Sequence, residues 1–164
     1  MYITLEEYNA MYDVIDISIF QRLEFEARRV IDLHTTGIDN VRKLHRFPPM
    51  DEYNALAVKH CAAKIINLLF QIHEAEAFSA MGRGYTETEQ GLQRRIISRV
   101  EAGNEAISYS ETKLANTVID EAISDRVARD KLLAETVCNY LRGVEDANGV
   151  NLLYMGKYPR RYLC

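Results

Sequence analysis

The chain has no tryptophan, only three prolines and only three cysteines in 164 residues. The cysteines, Cys61, Cys138 and Cys164, are odd in number and widely spaced, with no Cys-X-X-Cys. That excludes a disulfide framework and fits a protein that folds in a reducing cytosol. A membrane-length apolar run is missing too. The most apolar stretch, about Ile65 to Ile72, stops at Lys64 and Glu74, whereas a span needs about 20 residues. The opening Met1 to Glu7 has neither a basic region nor an apolar core, so no secretory signal is expected. Positive charge is not in excess. Acids outnumber bases 24 to 20, a net charge of −4, and a protein built for duplex DNA is normally basic.

Catalytic signatures are also lacking. Gly82-Arg83-Gly84 is followed by no Gly-Lys-Ser/Thr, so it is no phosphate loop, and neither Gly-X-Ser-X-Gly nor His-Glu-X-X-His occurs. Of His34, His45, His60 and His73, none stands four residues from another. His73 shares a helix face with Glu76, and His60 with Lys64, but a metal site takes three or four ligands. The carboxylate pairs Glu6-Glu7, Glu74/Glu76 and Glu87/Glu89 read as solvated charge, with nothing to desolvate them. Cys61 and Cys138 read as buried, inert thiols on apolar helix faces. The expectation is a protein that is not an enzyme and has no cofactor and no metal.

What is present is ordinary globular material: 48% apolar and 27% charged residues, and enough length to bury roughly 70% of the unfolded chain's surface. Helical signals dominate the first half. Thr4 with Glu7 forms a capping box before a short helix from Leu5 to about Met11. Ser18 is expected to cap a second helix to about Thr35, with Phe20, Leu23, Ala27, Val30, Ile31 and His34 on one face, and Gly37 stopping it. A linker, Ile38 to Met50, carries Pro48-Pro49. Asp51 then caps a long helix to about Phe78 or Met81. Its stripe of Ala55, Val58, Ala62, Ile65, Ile66, Leu69 and Ile72, widened by Cys61 and Leu68, marks it as the central helix of a bundle.

The glycine-punctuated stretch Gly82 to Gly91 reads as a loop. After it Ile96 to Glu101 and Ala106 to Ser110, around Ala102-Gly103-Asn104-Glu105, read as a β-hairpin at about 96–110. Residues 111–123 stay ambiguous. Asp125 caps a helix from Arg126 to Leu141 with Leu133, Val137, Tyr140 and Leu141 on one face, and Gly143 ends it. The fold expected is mainly α: a small helical bundle around a long central helix over 1–143, a short β-hairpin, and an extended C-terminal arm over 144–164. Basic clusters at Arg28-Arg29, Arg42-Lys43-Leu44-His45-Arg46 and Arg94-Arg95 with Arg99 are either solvated faces or a phosphate-facing patch.

Four stretches carry a likeness. They are Tyr2-Ile3-Thr4-Leu5-Glu6-Glu7-Tyr8, then Phe20-Gln21-Arg22-Leu23 leading to Ala27-Arg28-Arg29-Val30-Ile31-Asp32, then Ile107-Ser108-Tyr109-Ser110, and finally Tyr140-Leu141 leading to Leu152-Leu153-Tyr154-Met155-Gly156. In this order and spacing the chain resembles the gp6-like head–tail connector, or adaptor, proteins of tailed phages. Where the family arm often has an arginine before the glycine, this chain has Met155.

The resemblance implies a structural virion protein of the neck, made and assembled in the host cytoplasm. It implies a ring of copies, dodecameric to match the portal protein beneath which it sits. The ring would extend the channel, touch double-stranded DNA in transit and offer a docking surface to the stopper, the next neck protein. The portal-binding arm would be Leu152, Leu153, Tyr154, Met155, Lys157, Tyr158, Arg160 and Arg161. A hairpin with open edges suits pairing with a neighbouring subunit by strand addition, through Ile97, Arg99, Val100, Ile107 and Tyr109. No membrane partner is expected. The alternative reading, motivated by the basic clusters, is a helical nucleic-acid-binding protein such as a phage regulator or a small packaging subunit.

Overall fold

The computed structural model describes residues 1–47, 51–80, 85–88, 91–101, 106–111 and 118–157. It is mainly helical, with five α-helices among those residues, one of them long and central. The chain divides into two compact units. One runs from Met1 to Phe70 and takes in the chain from Leu133 onward; the other is Gln71–Leu132.

In the first unit, helix α1 (Leu5–Asn9) is started by the expected capping box. The Glu7 N–H donates to Thr4 Oγ1 at 3.2 Å and the Thr4 N–H donates to Glu7 Oε2 at 2.9 Å. Helix α2 spans Ile17–Thr35, and its N-cap is Asp16 rather than Ser18. The Asp16 carboxylate accepts the Ser18 N–H at 2.7 Å. A carboxylate two residues upstream therefore takes the amide first, and its charge also suits a helix N-terminus. The buried face of α2 is Phe20, Leu23, Glu24, Ala27, Ile31 and Thr35. Val30 and His34, expected on that face, lie at its half-buried edges.

Helix α3 (Glu52–Ala80) is the central element, with Asp51 accepting the Tyr53 N–H at 3.1 Å at its start. Ala55, Val58, Cys61, Ala62, Ala63, Ile65, Ile66, Leu68 and Leu69 are all buried. At roughly 100° per residue they cover more than half the circumference. By length and composition alone, Glu52–Ala77 could cross a membrane, but these apolar positions pack inside the protein. Each large side chain so buried contributes about 1.5–3 kcal/mol. Burial pushes the Cys61 thiol up to about 12, so it is inert. Cys138, expected to be buried with it, is exposed. It follows Val137 by one residue, which turns it off the buried face.

The second unit contains the C-terminal turns of α3, helix α4 (Val118–Ser124), the start of α5 (Arg126–Leu141) and three strands. Ambiguous residues 118–123 are thus helical, and the Arg126–Leu141 helix has the expected bounds. The Arg129 guanidinium pairs with Glu76 and donates to the Ala122 carbonyl at 3.1 Å, tying α5, α3 and α4 together. The backbone of Tyr85–Thr88 (β1), Gly91–Glu101 (β2) and Ala106–Glu111 (β3) pairs antiparallel in the order β1-β2-β3. Ile97 stands opposite Tyr109, Arg99 opposite Ser108 and Val100 opposite Ile107, with a register irregularity between Ile97 and Arg99. β1 falls inside the Gly82–Gly91 stretch expected to be a loop. The expected turn at 102–105 lies outside the described residues.

The Lys59 ammonium pairs with the Glu7 carboxylate. Its hydrogen bond, followed by that from the Thr4 N–H, holds the Glu7 carboxyl below the ordinary glutamate range. A carboxyl so lowered binds fewer protons folded than unfolded. Its contribution is present above the ordinary glutamate pKa and is lost as pH falls through the lowered value. Glu7→Gln is therefore expected to flatten the acid limb of the stability profile in urea midpoints taken between about pH 3 and 6. With both partners about a third exposed, the cost at pH 7 is under about 1 kcal/mol.

Candidate functional site: a lysine-locked segment and a basic cleft

Helix α2 ends at Thr35, and the chain reverses at once. The Asn40 N–H donates to the Gly37 carbonyl at 3.0 Å, and Asn40 takes a left-handed φ of 59°, which asparagine tolerates. A β-bridge pairs Thr36 with Arg42. A 3-10 turn over Lys43–Arg46 follows. Residues 38–47 of the linker foreseen as a connection are thus folded back along α2, and its remainder lies outside the described residues.

Lys43 is buried by this reversal. Its Nζ donates to three carbonyls: Thr35 at 2.7 Å, Leu152 at 3.0 Å and Tyr154 at 2.6 Å. An ammonium has three protons and no acceptor, so its bonding capacity is filled. Burial pushes the Lys43 ammonium below the ordinary lysine range, opposed by the carboxylates of Asp146 and Asp39. Two of the acceptors lie over a hundred residues away in sequence, so this one side chain fixes the C-terminal segment to the end of α2.

That segment is itself ordered. Helix α5 ends at Leu141, and Gly143 has φ 79°, the left-handed stop that glycine supplies. Asp146 Oδ1 then accepts the Asn148 N–H at 2.8 Å and the Val150 N–H at 2.9 Å, closing a tight turn. The Leu152 N–H donates back to the Val144 carbonyl at 2.8 Å. Val144, Asp146, Val150 and Leu152 are buried, Leu152 at 0% exposure. Residues 144–157 are therefore part of the first unit and not an arm outside the bundle. Leucine at 152 follows a returning turn, and burying it is worth more than presenting it to solvent.

The residues expected to bind a portal separate accordingly. Leu152 is in the core and Leu153 is half-buried, whereas Tyr154 and Met155 are 49% and 48% exposed and Lys157 is exposed. Tyr158, Arg160 and Arg161 lie outside the described residues. Ile38, 72% exposed, adjoins this edge, since its N–H donates to the Met155 carbonyl at 3.1 Å. Gly37 makes that approach possible: a Cβ there would fall 2.5 Å from the Gly156 carbonyl oxygen.

On the other side of the reversal lies a cleft of about 660 Å³. One wall is the outward stripe of α2, Phe25, Arg28, Arg29 and Asp32, spaced i, i+3, i+4, i+7; the other is Arg42, Leu44, His45 and Phe47, with Tyr2 between. Tyr2 anchors it. Its N–H donates to buried Glu24 at 3.1 Å, its hydroxyl donates to Asp32 Oδ1, and its ring meets Phe47 edge-on at 5.1 Å. Burial, then the Asp32 carboxylate, pushes the Tyr2 hydroxyl far above its ordinary value. The Arg28 guanidinium lies 5.5 Å over the Phe25 ring, and Arg42 stands 3.9 Å from Asp32 Oδ2. His45 Nδ1 lies 2.7 Å from the Arg42 carbonyl, which can only accept, so Nδ1 carries the proton. Two basic clusters that are separate in sequence, Arg28-Arg29 and Arg42 with His45, thus share one site.

Among the described residues, no group of three His, Cys, Asp or Glu side chains is placed to hold a metal. No protein-family model, no curated protein and no solved structure matches the chain.

Lys43→Met would leave three carbonyls without their charged donor. It is expected to cost about 3 kcal/mol, the scale of one or two charge-assisted hydrogen bonds, read as a lowered urea midpoint with faster amide exchange at Leu152. Gly37→Ala forces backbone against backbone and is expected to destabilise by about 1–3 kcal/mol, measured the same way.

Proposed function

We propose that this protein is a structural ring subunit of the head–tail connector type, not an enzyme. In this reading it acts under a phage portal, extends the DNA channel and carries the next neck protein. The observation that carries the reading is the apolar edge of Ile38, Tyr154 and Met155, exposed yet held rigid by the lock on Lys43. Tyr154 and Met155 lie in the Leu-Leu-Tyr-Met-Gly stretch, part of one of the four that carry the family resemblance. A rigid, exposed apolar edge suits a docking surface because little ordering entropy remains to be lost on binding.

Two further exposed apolar pairs support ring formation. They are Val14 with Ile17 at the entry to α2, and Tyr53 with Leu56 one turn apart on α3. A head-to-tail ring needs two different complementary surfaces on each copy, and a portal contact needs a third. The strand pair β2–β3, with Ile97, Arg99, Val100, Ile107 and Tyr109, is the element we assign to contact between neighbours. The expected partners are therefore further copies of this chain, a portal, the stopper and DNA in transit.

Mass photometry of the full chain, alone and with a candidate portal, tests this. A closed oligomer, or saturating addition to the portal, is expected. Removing residues 144–164 is the wrong probe, because it deletes core side chains such as Leu152. Met155→Asp, on an exposed side chain, is expected to keep the fold and abolish addition to the portal. A chain that stays monomeric in both settings overturns the reading.

A further inference from the structure

The basic cleft has no part in the docking edge, and its chemistry is specific. Three arginines face one carboxylate among its lining residues, in a chain whose net charge is −4. The carboxylate is already engaged: Asp32 takes the Tyr2 hydroxyl on one oxygen and faces Arg42 with the other. Arg28 is held over Phe25 by its ring face, which orients the guanidinium without neutralising it. Arg29 is exposed and has no partner among the described residues. Positive charge is thus gathered in a concave site and left largely uncompensated.

Size and lining narrow the ligand. About 660 Å³ falls within the range of small-molecule sites, roughly 300–1,000 Å³. Guanidinium forks match phosphate oxygens in pairs, which an ammonium does not. A cleft also bordered by Phe25, Phe47 and Tyr2 offers aromatic surface beside the charge, so a planar ring next to a phosphate fits better than a bare ion. A duplex backbone meets proteins over many phosphates at once, and a cleft of this size takes in only one or two.

We propose that the cleft between α2 and the 42–47 segment binds a nucleoside monophosphate, the phosphate on Arg28, Arg29 and Arg42 and the base against Phe25 and Phe47. The site is complete within one chain, so the inference stands whether or not the protein forms a ring.

Isothermal titration calorimetry of the full chain at low ionic strength tests it, with adenosine 5′-monophosphate as the probe. Adenosine, inorganic phosphate and a short DNA duplex are titrated in parallel. Saturable binding of the monophosphate is expected, with none for adenosine and at least about tenfold weaker binding of phosphate. Arg29→Ala is expected to weaken the monophosphate about tenfold, the scale of one lost charge-assisted contact, with an unchanged urea midpoint. Arg126→Ala, on a side chain 92% exposed and outside the cleft, is expected to change nothing. Should Arg29→Ala disturb the fold, Arg42→Ala, whose side chain is 70% exposed, makes the same test. The proposal is overturned if the monophosphate does not bind, if neither arginine variant weakens it, or if phosphate alone binds as tightly, which would mark an oxyanion site only. Duplex binding without monophosphate binding also overturns it, in favour of a nucleic-acid surface.

Discussion

One ammonium group holds the first unit in register. Lys43 Nζ takes carbonyls from the end of α2 and from two positions of the C-terminal segment. The bonds to Thr35 and Leu152 are buried and that to Tyr154 is half-buried, and a buried carbonyl without a donor costs about 1–3 kcal/mol. A lysine so placed is itself expensive to bury unless its protons are all used. Each group therefore supports the other, alongside the backbone bonds from Asn40 to Gly37, from Ile38 to Met155 and from Leu152 to Val144.

From that constraint two surfaces follow. On one side the segment after the lock presents Tyr154 and Met155 beside Ile38. On the other, the same reversal lays Arg42 and His45 against the polar stripe of α2 and closes the basic cleft. The Tyr2 anchor supports that second surface in a similar way, joining Glu24, Asp32 and Phe47 through one side chain. The exposed apolar edge and the basic cleft thus both border a single chain reversal.

Much of the helical frame was legible in the residues. The Thr4–Glu7 capping box, the start of α5 after Asp125 and the stop at Gly143 are local signals, set by groups within a few residues of one another. The breadth of the apolar stripe on α3 announced its central position, and all nine residues of the stripe are buried. The cap of α2 was misread because Asp16 and Ser18 are both good caps, and choosing between them depends on where the preceding turn delivers the backbone. Cys138 was misplaced by one helical step. The apolar, aromatic character of 152–155 was visible, but not that Leu152 turns inward while its neighbours stay outside. A period-free segment carries no record of which side chain faces the core.

The basic residues make the same point for the candidate sites. Arg28-Arg29 and Arg42 to Arg46 were each conspicuous, and a phosphate-facing patch was one of two readings open for them. Their union in one cleft was invisible, because it depends on the turn at Gly37–Asn40 and on a lysine bond across more than a hundred residues. The sequence by itself determined what hydrogen bonding and periodicity fix within about four residues: helix type, most helix ends and the identity of the central helix. Tertiary structure alone decided which charges meet, which leucine is core and which aromatic is exposed. Those outcomes rest on long-range burial and on pairing buried polar groups, and no local pattern encodes either.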